Sequence, residues 1–132
     1  MTEFDKYRSV LEITTVIESA DAELLKLVLE NGADVNCDTG NGWTPLRLAF
    51  DCAIDGMIQH NREEPYPEIL KVIQLLLDNG ADLDKVDTEG KKPLSVLNTY
   101  AATNEGFNLL KDMFRALIPD IDDRVLFDKN DA

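Results

Sequence analysis

Asp38-Thr39-Gly40 is the tripeptide that holds one carboxylate of a proton-sharing pair against an attacking water in acid proteolysis. One copy supplies half of such a site, and the chemistry needs strands on either side. The flanks here read as the end of one helix and the start of another. Asp, Thr and Gly then sit at the tip of a turn, which all three favour. His60 is the sole histidine, and no His or Cys stands beside it at metal-ligand spacing. Cys37 and Cys52 are expected as reduced, buried or half-buried thiols, and no basic residue adjoins Cys37 to activate it. Glu63-Glu64 are adjacent rather than converging, which general acid–base work requires. Asn31-Gly32-Ala33 and Asn79-Gly80-Ala81 read as helix stops, not as phosphate-cradling loops. No catalytic residue, no cofactor and no metal are expected, and the chain is not expected to be an enzyme.

The elements that carry these residues come from an internal repeat. The segment from Leu24 to Asn36 recurs from Val72 to Asp84, and each copy is followed by a loop and a Pro-Leu start, Pro45-Leu46 and Pro93-Leu94. Gly32 to Gly80 and Pro45 to Pro93 share one offset, 48 residues. Leu24, Leu25, Leu27 and Val28 fall at helical spacing, as do Ile69, Leu70, Ile73, Leu76 and Leu77. Gly32 and Gly80 close those helices, while Pro45 and Pro93 suit the first turn of the next. Such pairs bury their apolar faces by stacking on neighbours. A further helix is expected over 11–19, reaching back toward the N-terminus along Phe4, Tyr7, Val10, Leu11, Thr14 and Ile17.

Asn31-Gly32-Ala33-Asp34-Val35-Asn36, Asn79-Gly80-Ala81-Asp82 and Thr44-Pro45-Leu46-Arg47-Leu48-Ala49 resemble the ankyrin repeat, whose signature is T-P-L-H-x-A at a period of about 33 residues. Arg47 occupies the signature's His position. Asp87-Thr88-Glu89-Gly90 resembles the family's hairpin turn, whereas Asp38 stands one place early relative to Gly42. The resemblance implies an all-α ankyrin-repeat solenoid of about three helix pairs with hairpin loops. It implies one domain over 1–132: an N-terminal unit over 1–36, a middle unit over 37–84 with an insertion at 51–67, a C-terminal unit over 85–118, and an acidic tail over 119–132. Residues 51–58 extend the middle unit's first helix by two turns, and 60–67 form an exposed loop broken by Pro65 and Pro67. In the tail, Val125-Leu126-Phe127 are expected to cover the end of the last helix pair.

Thirteen Lys and Arg against 26 Asp and Glu leave a net charge of −13. That balance excludes a nucleic-acid backbone and an anionic membrane as partners. The start of the chain has no basic-then-apolar leader pattern, no apolar run is long enough to span a bilayer, and two cysteines make no disulfide framework. A cytoplasmic, monomeric protein is expected. The resemblance places partner contact on the hairpin tips and the exposed side of each unit's first helix: Thr39, Asn41, Trp43, Arg47, Asp51, Asp55, Asp87, Glu89 and Lys91, with Glu63 and Glu64 on the insertion. The charge points to a basic protein, a toxin or effector, bound by an immunity or antitoxin-type inhibitor; the alternative is a non-inhibitory adaptor.

Overall fold

Several helices begin where the sequence supplies a side-chain cap. In the computed structural model, which describes residues 2–131, Thr2 and Asp5 form a reciprocal capping box on α1 (Glu3–Glu18). The Asp21 carboxylate accepts the Leu24 N–H at the start of α2 (Ala22–Glu30). Thr44 accepts the Arg47 N–H, and Pro45 opens α3 (Pro45–Gln59). Pro67 opens α4 (Pro67–Asp78), so this proline begins a helix rather than only breaking a loop. Two helices end alike. Gly32 and Gly80 take φ +99° and +90°, and the following amides, Ala33 and Ala81, reach back to the carbonyls of Val28 (3.3 Å) and Leu76 (3.0 Å).

The chain forms two compact units, 1–93 and 94–132. In the first, α1 packs on α2 and α3, and α4 packs on α3 and α2, so two antiparallel pairs stack. Ile13, Val16 and Ile17 of α1, Leu25 and Val28 of α2, Phe50 and Ile54 of α3, and Val72, Ile73 and Leu76 of α4 fill the core. The buried face of α1 is thus narrower than the apolar stripe expected from sequence. Phe4 and Leu11 remain 68% and 49% exposed, and the Tyr7 side chain lies outside the described residues. The insertion does lengthen α3, which continues to Gln59. The loop after it closes on itself, with the Arg62 guanidinium 3.9 Å above the Tyr66 ring and His60 edge-on to the same ring.

Pro93 begins a 3-10 turn (Pro93–Ser95) rather than an α-helix, and in the second unit α5 (Val96–Tyr100) is only five residues long. It pairs with α6 (Asn104–Phe114), which Thr103 caps. The tail forms α7 (Ile121–Arg124) and then runs extended. Val125 is buried and the Phe127 ring lies 5.5 Å from Phe107, while Leu126 between them is 78% exposed. The alternation is that of a strand. The Asn98 side chain holds this segment from both sides, donating to the Leu126 carbonyl at 3.0 Å and accepting from the Asp128 amide at 2.9 Å. Asp122 ties the tail to α6 through Lys111 (2.8 Å) and Arg115 (2.9 Å), whose cations hold its carboxyl well below the usual range. Two of the three apolar tail residues therefore act as the expected cover, and Leu126 does not.

Two glycines of the first unit separate backbone constraint from helix propensity. A Cβ on Gly42 (φ +82°) would stand 2.8 Å from the Thr88 nitrogen and 2.9 Å from the Asp87 Cα, whereas one on Gly56, inside α3, meets nothing within 4 Å. In urea unfolding, Gly42→Ala is expected to lower stability by about 1–3 kcal/mol. Gly56→Ala should raise it by about 0.5–1 kcal/mol.

Candidate functional site

Two hairpins project from the first unit, one over residues 33–44 and one over 81–92. Each is organised by an aspartate. Asp38 Oδ1 accepts the amides of Gly40 (2.8 Å) and Gly42 (2.9 Å), and Asp87 Oδ1 accepts those of Glu89 (2.8 Å) and Lys91 (3.0 Å). The acceptor serves the second and fourth residues after it in both hairpins; Asp87 itself donates its amide to the Lys91 carbonyl, whereas in the first hairpin Thr39, one place after Asp38, donates to that of Trp43. Side chains then lock hairpin to hairpin. Asn36 donates to the Gly80 carbonyl at 3.1 Å and accepts from the Asp82 amide at 2.8 Å, while the Thr88 amide and hydroxyl both donate to the Asn41 carbonyl. Gly42 lets the two backbones approach.

Arg47 closes the arrangement. Its Nη1 lies 3.2 Å from Asp87 Oδ2, with the two side chains only 8% and 6% exposed, and the same nitrogen donates to the Lys92 carbonyl at 3.5 Å. The guanidinium sits 4.4 Å from the centre of the Trp43 ring. Its Nε has no hydrogen-bond partner among the described residues, so the ring face is its remaining polar contact. Burial pushes the Asp87 carboxyl up, but the Lys91 and Glu89 amides and then the Arg47 charge outweigh burial and hold it below its ordinary value.

The expected partner-contacting residues divide accordingly. Arg47 and Asp87 were placed on an exposed face from sequence. They instead face each other inside the first unit, because a charge this desolvated must be paired. Thr39 is half-buried and spends both its amide and its hydroxyl on the Trp43 carbonyl, at 2.7 and 2.8 Å. Trp43 is half-buried over Arg47. Asn41 and Glu89 are exposed at the tips, with Lys91 half-buried and 3.9 Å from Glu89. Asp51 and Asp55 are half-buried on α3, and Asp55 accepts from Gln59 at 2.6 Å. Glu63 and Glu64 are exposed beyond the far end of α3, a 15-residue helix that separates them from the hairpins by about 21 Å. The structure therefore gathers the hairpin residues and leaves the insertion pair apart. The sequence marks Asp38 as a turn residue, and it organises its turn; it carries no sign of the Asn36 bridge between the hairpins.

Both thiols are pushed up to about 11, Cys37 by burial and then Asp34, Cys52 by burial and then Asp51 and Glu18. They stay protonated at neutral pH and offer no thiolate. Among the described residues no group of His, Cys, Asp or Glu is placed to hold a metal ion, and no helix is long and apolar enough to cross a membrane.

Residues 41–88, which begin at Asn41 in the first hairpin, span α3 and α4 and end at Thr88 in the second, match the family model of the ankyrin repeat. The chain carries an ankyrin repeat. The all-helical architecture of helix pairs is that of an ankyrin solenoid, and the repeat marks a protein–protein interaction module. Arg47 replaces the ankyrin signature histidine, and the insertion stretches this repeat to 48 residues. The chain is also 31% identical over 100 residues to the potassium channel AKT1 of Oryza sativa subsp. indica and to that of subsp. japonica. The match covers 76% of this chain and 9% of each channel, so the chain spans under a tenth of these curated relatives.

Because the folded Asp87 pKa is depressed, its contribution is complete above the unfolded value and is lost as pH falls through the folded one. Acidification below about pH 4 should therefore destabilise the natural chain more than an Asp87→Asn variant. Unfolding midpoints measured from pH 5 to pH 2 should converge; parallel curves would assign Asp87 no such role.

Proposed function

We propose that this chain binds a basic protein through the hairpin tips and the adjoining acidic surface, and that binding blocks that protein in the manner of an immunity or antitoxin-type inhibitor. The observation that carries the reading is a net charge of −13 on 132 residues, beyond the magnitude of roughly 2–8 that solubility asks of a small domain. Charge of one sign weakens the compact state but steers a cationic partner and speeds encounter. Exposed Glu89 and Asn41 lie on hairpins held rigid from behind by the Arg47–Asp87 pair, so the platform is ordered before contact. Preorganisation of this kind reduces the entropy lost on binding. Half-buried Trp43 offers its free ring edge as an anchor beside them. The free chain is monomeric and cytoplasmic on this reading.

A second reading, a non-inhibitory adaptor, is favoured by the channels, in which the matching segment is a small part of a larger protein. Co-expression with the product of the neighbouring gene separates the two. An inhibitor forms a 1:1 complex and rescues growth; an adaptor binds without rescue. Glu63→Lys, Glu64→Lys and Glu89→Lys together are expected to slow association at least about tenfold at low salt, with the difference shrinking as salt rises. Association unchanged by the triple variant would remove the acidic surface from the mechanism.

A further inference from the structure

Asp38 and Asp87 are one device used twice. Both hold their turns with Oδ1, and Asp87 directs Oδ2 at Arg47. Asp38 is exposed, and its Oδ2 has no partner among the described residues.

The cause lies in α1. Ile13, Val16 and Ile17 are buried as Leu46, Ala49 and Phe50 are, an offset of 33 that aligns α1 with α3. On that register Thr14 stands at the position of Arg47. Threonine brings no charge to the hairpin, and Thr14 Oγ1 is buried without a hydrogen-bond partner among the described residues. A cavity of about 400 Å³ remains between α1 and the first hairpin, with Ser9 and Val10 on one wall and Asp34, Cys37 and Asp38 on the other. Lys6 also borders it, with its ammonium 3.7 Å from Glu3.

We propose that this cavity is a guanidinium site: it receives an arginine side chain from the protein partner, with Asp38 Oδ2 as the counter-charge, as Asp87 receives Arg47 within the chain. The site rests on the basic-partner reading and names the group that is gripped. Arginine suits it better than lysine. A guanidinium is planar, weakly hydrated and always charged, so it enters a part-apolar cavity at lower desolvation cost, and its fork matches a carboxylate whose other oxygen is already engaged.

The test titrates the full chain with N-acetyl-arginine methylamide and with its lysine counterpart, following backbone amides by NMR. The expected result is saturable shifts at Ser9, Val10, Asp38 and Gly40, with the lysine compound at least about fivefold weaker. Asp38→Asn keeps the turn acceptor and removes the charge, and should weaken the arginine compound at least about tenfold. Shifts that fail to saturate, that survive Asp38→Asn, or that lie only elsewhere overturn the site. Thr14→Arg supplies the guanidinium in cis: it should raise the unfolding temperature only when Asp38 is present and should block the probe. A folded Thr14→Arg chain that binds the probe as the natural chain does also overturns it, and if that variant fails to fold the titration alone decides. Because the probe is a small molecule, this outcome is independent of whether a basic protein partner is found.

Discussion

A desolvated guanidinium and a desolvated carboxylate 40 residues apart in sequence meet at 3.2 Å, and the first unit is arranged around that contact. Neither charge is tolerable alone. Breaking a buried pair by removing one partner costs about 3–5 kcal/mol, because the survivor remains uncompensated. Arg47 rises from the first turn of α3, where the Thr44 cap and Pro45 fix its backbone. Asp87 is held in its turn by two amides. The pair therefore joins a helix to the following hairpin, and Trp43 seals it from the first hairpin. One ion pair couples three segments, beside the Asn36 and Thr88 hydrogen bonds that join the two hairpins.

That coupling shapes how the protein meets a partner. Ankyrin hairpins are short and have little core of their own, so a binding surface made of their tips needs support from behind. Here the support comes from polar contacts: the Asn36 bridge at the base, the Asn41–Thr88 contact midway, and the charged Arg47–Asp87 pair near the helix. The same logic shows what the first hairpin lacks. It has the aspartate and the turn, but α1 offers a threonine where α3 offers an arginine.

Much of this architecture was legible from spacing alone. The shared offset of 48 residues located both glycine-closed helix ends and both hairpins, since a left-handed closing residue and a first-turn proline leave local chemical signatures. Arg47 was legible only as a departure from a family motif. Sequence shows that a helix carries a cation; it does not show that a carboxylate in the next hairpin is turned inward to meet it, so an exposed role was the natural expectation for both. Val125-Leu126-Phe127 illustrates the same boundary. Composition marked the segment as too apolar for solvent, but the alternation that buries Val125, half-buries Phe127 and exposes Leu126 follows from the Asn98 clamp, which only the fold brings into place.

The central claim is that Arg47 and Asp87 stabilise the unit through each other. A double-mutant cycle with Arg47→Met and Asp87→Asn, read by urea unfolding at neutral pH, measures this directly. The structure predicts a coupling of about 2–3 kcal/mol, with the double variant more stable than the two single losses would sum to. Additivity within about 0.5 kcal/mol would contradict the account, leaving the two residues as independent neighbours and the hairpins held by their other hydrogen bonds.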